Sequence, residues 1–158
     1  MQNNIAVLLP YTDQFIKDNA GSASIWVKDF SKDSKLKKNT TIFGYTANIS
    51  KTFENFNYVN LKFSNFGVQS KNLKYVNKFI DVLNKKKFSL IEIHNRPSYI
   101  LHIEKNLPNQ KYILVIHNNP QTLRGAVTPK ERKHLIKLCS KITFVSNWVK
   151  EKFFEGLD

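Results

Sequence analysis

The sequence predicts an α/β fold: a Rossmann-like, doubly wound and mostly parallel sheet with helices on both faces. Three observations carry this. Short apolar runs alternate with amphipathic stretches along the whole chain. Several runs are apolar at successive positions, so both faces of those strands need cover, as in a parallel sheet. At 158 residues the chain is one domain, 1–158, long enough to bury a core.

The elements follow in order. Ile5 to Leu9 is the first strand, stopped by Pro10. A polar loop runs to Gly21, and from Ser22 a helix places Ile25, Trp26 and Phe30 on one face. Thr40 to Phe43 is a brief β-branched strand, and Tyr58 to Phe63 another with alternating apolar positions. Asn65 and Gly67 mark a loop. Ser70 to Lys87 is the clearest helix: Leu73, Val76, Ile80 and Leu83 share one face, and Lys71, Lys74, Lys78 and Lys85 the other. Leu90 to Ile93 is a strand, Pro97 to Lys105 a short helix, and Tyr112 to Ile116 a strand. Thr128-Pro129-Lys130-Glu131 starts a helix, with Thr128 as cap, Pro129 in the first turn and Glu131 closing a capping box. Ile142 to Val145 is the last strand, and Ser146 caps a final helix carrying Trp148, Val149 and Phe153.

Composition narrows the class. With 41% hydrophobic and 13% aromatic residues the chain is globular and not disordered. No apolar run approaches the roughly 20 residues of a membrane span. MQNNIAVLLPY has no basic stretch ahead of its apolar run, so it reads as a strand and not a signal peptide. One cysteine, Cys139, excludes an internal disulfide and fits a reducing, cytosolic setting. It reads as a small buried residue on a helix. The net charge of +13 attracts polyanions: nucleic acid, anionic lipid or phosphorylated small molecules. The wealth of Lys, Asn, Ile and Phe, with little Ala or Gly, also fits an AT-rich genome, which dilutes any inference from charge.

The candidate chemistry lies where strands end. LIEIHNRP and YILVIHNNP each run from an apolar strand into His, Asn, one residue and Pro. In open parallel sheets ligands bind at the carboxyl ends of strands. His94 and His117 are therefore expected to share one crevice, with Asn95 and Asn118 bonding the local backbone or a ligand hydroxyl. Arg96 and Arg124 follow in the same two loops of a chain with only three arginines, and a guanidinium fork suits phosphate or carboxylate. Arg132 reads as solvent-facing on its helix. Glu92 reads as pointing away from His94. Gly21, before a helix, could let backbone amides approach a phosphate. No other scheme has support: His102 and His134 lack ligands at zinc spacing, and no carboxylate pair suits hydrolysis.

These segments resemble the N-terminal domain of a family 4 glycosyltransferase of GT-B architecture. Gly21, IEIHNRPS, LVIHNNPQTLRG and ITFVSNWVKEKF carry the resemblance, which is most specific from Ile91 to Phe153. It implies an acceptor-side half of a retaining enzyme that moves a sugar from a nucleotide-sugar to a glycan or lipid-linked acceptor. It implies a catalytic role for His117, a donor-phosphate role for Gly21, and acceptor contacts from His94, Asn95, Arg96, Asn118 and Arg124. It calls for no metal and no cofactor beyond the nucleotide-sugar. A second, nucleotide-sugar-binding domain is implied, and the chain reads as half an enzyme, inactive alone. Lys71, Lys74, Lys78 and Lys85 could then touch an anionic membrane at its cytoplasmic face. Two other readings stand beside it: a basic nucleic-acid-binding module, although no stacking aromatics interleave the lysines, and a stand-alone phosphosugar-binding domain.

Overall fold

A computed structural model describes residues 4–64 and 66–157. The loop marker Asn65 lies outside the described residues. Among the described residues the fold is α/β and Rossmann-like, with five helices and six parallel strands. Two compact units divide the chain, Met1–Ser89 and Leu90–Asp158.

The first unit holds β1 (Ile5–Leu8), α1 (Ser22–Lys32), β2 (Thr40–Gly44), β3 (Tyr58–Asn60) and α2 (Lys71–Lys85). Its strands pair in parallel, Val7 opposite Ile42 and Phe43 opposite Val59. Val7, Leu9, Phe15, Ala23, Val27 and Ile42 make one cluster of its core. Phe15 packs edge-on against Phe53 and Phe56, at 4.9 and 5.4 Å between ring centroids. Each such side chain, fully buried, stabilises the fold by about 1.5–3 kcal/mol. The third strand is shorter than the alternation predicted, because after Asn60 the chain leaves the sheet. There the side-chain amide of Asn60 donates to the Thr46 carbonyl and its oxygen accepts from the Thr46 amide.

Helix α2 forms as the spacing predicts. Ser70 caps it by accepting from the Leu73 amide. Val76, Phe79 and Ile80 are buried, and Phe79 meets Phe43 edge-on at 5.1 Å. Buried Tyr75 is held by its hydroxyl, which donates to the Leu9 carbonyl at 2.9 Å. On the outer face Lys71, Lys78 and Lys85 are exposed, whereas the Lys74 ammonium donates to the Phe66 and Gly67 carbonyls.

The second unit holds β4 (Leu90–His94), α3 (Pro97–Asn106), β5 (Tyr112–Ile116), α4 (Pro129–Leu138), β6 (Cys139–Phe144) and α5 (Asn147–Phe154). β5 lies between β4 and β6, all three parallel. Its residues Leu114, Val115 and Ile116 are buried in succession, which is why its sequence shows no alternation. Helix α4 carries the predicted capping box: the Glu131 amide donates to Thr128 Oγ1, and the Thr128 amide to Glu131 Oε2. Ser146 caps α5 by accepting from the Val149 amide.

Two expectations about side chains are corrected here. Arg132 is not solvent-facing; it is 2% exposed. Its guanidinium donates to the Ala126, Val127 and Glu155 carbonyls, so its charge is met by main-chain oxygens. Cys139 is not on a helix. It ends α4 and opens β6, half-buried, and burial pushes its thiol up to about 12.

Candidate functional site

The site belongs to the second unit, at the carboxyl ends of β4 and β5. Their register sets His94 opposite Val115, so the two strands end nearly level. Asn95 then turns the chain out of the sheet with φ +52°, a left-handed conformation that asparagine tolerates better than most residues. Its amide donates to the Val115 carbonyl at 2.7 Å, and its side-chain oxygen accepts from the amides of His117 and Asn118 at 3.3 and 3.2 Å. One asparagine thus stops its own strand and anchors the loop beyond the next. Asn119 repeats the device locally: its side chain accepts from the Gln121 amide and starts a short 3₁₀ turn at Pro120.

The two histidines meet. Nδ1 of His94 lies 3.0 Å from Nε2 of His117, and the ring centroids are 5.3 Å apart. His94 is 0% exposed and His117 half-buried. The other nitrogen of His94, Nε2, lies 2.8 Å from Oε1 of Glu92. Glu92 therefore does not point away from His94. Residues two apart on a strand share a face, and the sheet puts both on the same side. This carboxylate was missed in the sequence, although the parity of 92 and 94 is enough to find it.

Arg96 is half-buried, and its guanidinium donates to the Asn95 carbonyl at 2.9 Å. Asn118 and Arg124 are exposed. The loop that carries them is tied to α3: the Ser98 amide donates to the Arg124 carbonyl at 3.1 Å. Next to it Gly125 has φ +90°, and a Cβ there would stand 2.9 Å from the Ser98 nitrogen. Only glycine fits both the conformation and the close approach. Sequence reasoning gave Gly125 no such part.

Burial divides the expected catalytic and acceptor-side residues. His117, Arg96, Asn118 and Arg124 have exposed surface, whereas Asn95 is 6% exposed and His94 fully covered. The last two shape the rim through their neighbours and do not present a surface of their own. Gly21 lies in the first unit, ahead of α1. There the Asp13 carboxylate accepts from the amides of Ala23 and Ser24, and a Cβ on Gly21 would fall 2.4–2.5 Å from it. The absence of a side chain at Gly21 thus makes room for an internal carboxylate, which caps the helix as an anion would.

Neither a scan of protein-family models nor a search of curated proteins gave a match to this chain. Among the described residues no helix is long and apolar enough to cross a membrane.

Proposed function

We propose that this chain is the acceptor-side domain of a retaining glycosyltransferase of GT-B architecture. In this reading it works opposite a nucleotide-sugar-binding domain, moving a sugar to a glycan or lipid-linked acceptor in cell-surface polysaccharide synthesis. The observation that carries the reading is the half-buried imidazole of His117 at the end of a parallel strand, held by His94 at 3.0 Å. Retaining transfer builds positive charge on the sugar and negative charge on the departing diphosphate. Such a transition state is favoured by fixed polar groups more than by a strong base. His117 is the catalytic contact, Arg96, Asn118 and Arg124 face the acceptor, and His94 and Asn95 fix the rim. A donor-phosphate contact at Gly21, which the family resemblance implies, would have to displace the Asp13 carboxylate from the start of α1. Backbone amides and basic residues can meet the phosphate charge, so the reading calls for no metal.

The exposed lysines of α2 and the loop before it, where Phe66 is 93% exposed, suit peripheral contact with an anionic membrane at its cytoplasmic face.

Amide NMR of the chain titrated with saccharide and lipid-linked acceptors tests the reading. Expected are shifts clustered at residues 94–98 and 117–125, and no turnover of nucleotide-sugars by the chain alone. Turnover by the chain alone, or shifts that avoid these loops, would refute it. Salt-sensitive retention on nucleic acid would favour a basic nucleic-acid-binding module in its place.

A further inference from the structure

We propose that Glu92, His94 and His117 form a single proton relay, with Glu92 as positioning residue, in which a proton gained by either ring surfaces at Nδ1 of His117. The geometry supplies two hydrogen bonds in series: Glu92 Oε1 to His94 Nε2 at 2.8 Å, and His94 Nδ1 to His117 Nε2 at 3.0 Å. Each bond holds one proton.

With Glu92 ionised and both rings neutral, only one arrangement keeps both bonds. The carboxylate can only accept, so His94 carries its proton on Nε2. Nδ1 of His94 then has the lone pair and accepts from Nε2–H of His117. Neutral His117 is left with its lone pair on Nδ1, as an acceptor.

One more proton on the rings can be placed in two ways. It can make His117 an imidazolium or make His94 one. Keeping both hydrogen bonds forces the same result in each case: Nδ1 of His117 becomes N–H, a donor. A second proton on the rings would set two N–H groups against each other across 3.0 Å, or break that bond. The two rings therefore take up one proton between them, and that proton reverses the hydrogen-bonding character of His117. His94, being fully buried, cannot exchange its partners for water.

Other charges could act on the unit. Arg96 bonds the Asn95 carbonyl in the adjoining loop. The register aligns Ile113 with both Glu92 and Lys141, so Lys141 of β6 shares the sheet face of the relay two strands from Glu92. Helix α3, which packs on β4, carries His102, Glu104 and Lys105. Glu92 is bonded directly to His94, so its charge offsets the added proton at short range. The relay itself rests on geometry alone; that His117 meets a sugar hydroxyl or a phosphate oxygen rests on the function proposed above.

The test needs no substrate, so its outcome is separate from that of the functional reading. In protein labelled with nitrogen-15 at histidine, the wild type should show a scalar coupling between His94 Nδ1 and His117 Nε2. At high pH both rings should be Nε2–H tautomers. Acidification should give a single uptake step for the pair, with Nδ1–H appearing on His117. Glu92→Gln, which keeps an acceptor oxygen but removes the charge, should lower the proton affinity of the pair about tenfold or more. Glu92→Asp should restore part of it, and Lys141→Gln should move it less. A Glu92 that merely packs would leave the titration unmoved in Glu92→Gln. Two independent uptake steps, an Nδ1–H tautomer of His117 at high pH, or an unmoved Glu92→Gln titration would overturn the relay. Should Glu92→Gln fail to fold, the wild-type coupling, tautomers and uptake still decide.

Discussion

The side-chain oxygen of Asn95 accepts from the backbone amide of His117 at 3.3 Å, so a residue ending one strand fixes the histidine that follows the next. Asn95→Ala removes that acceptor and leaves an alanine at φ +52°. The combined loss is about 2–3 kcal/mol. Asn95→Gly relieves the backbone but not the missing acceptor, and should lose about 1–2 kcal/mol. Asn95→Asp keeps the acceptor and should be the mildest. Urea denaturation checks the order: the midpoint should fall in Ala more than Gly more than Asp, at constant slope. An alanine variant as stable as the wild type would show that the bond contributes nothing.

Arg132, on α4, provides a second test. Arg132→Met keeps the apolar stem but leaves three main-chain carbonyls without their donor. Two of them belong to the turn before α4 and the third to the residue after α5. The expected loss is about 2–4 kcal/mol, with Arg132→Lys between Met and wild type because one ammonium cannot reach as a fork does. Hydrogen exchange should quicken first in the last turn of α5, whose end Arg132 holds. Uniform exchange across the unit would argue against that local role.

Cys139 carries a pH prediction. Its thiol is raised from 9.0 to about 12 by burial, so between those values the unfolded chain loses a proton that the folded chain keeps. Unfolding then releases a proton, and stability must fall as pH rises from about 9 towards 12. Below that window the thiol contributes no pH dependence. The Cys139→Ser variant should lack this component of the alkaline loss. A disulfide reagent at pH 8 should react slowly with the folded protein and quickly in denaturant. Equal rates would mean that the thiolate is not suppressed.

Much of the frame was legible in the residues, and the reasons are local. Thr128 to Glu131 carries its helix start in four consecutive residues, and the lysine and leucine faces of α2 follow from a period that needs no partner. His94 and His117 were paired because parallel strands bring their carboxyl ends to one edge. Glu92 lies beside His94 because residues two apart on a strand share a face. Arg132 could not be placed from the sequence, because the carbonyls that receive it include Glu155, 23 residues away. The Tyr58 strand ends early because Asn60 and Thr46 clasp each other across a loop, a contact that no periodicity announces. Gly21 drew attention as a loop glycine, while Asp13, the carboxylate it accommodates, carried no local signal.

The bend at Asn95 separates frame from rim within one residue. Upstream, β4 is held in register with β5; downstream of Asn118, the chain is held by its own turn and by bonds to α3 and to the end of α5. Extra residues inserted after Asn118 would lengthen the lip without displacing the imidazoles, since their seat is bolted before the loop begins. Variation along this edge can therefore accumulate in a few codons while the β-scaffold stays as it is.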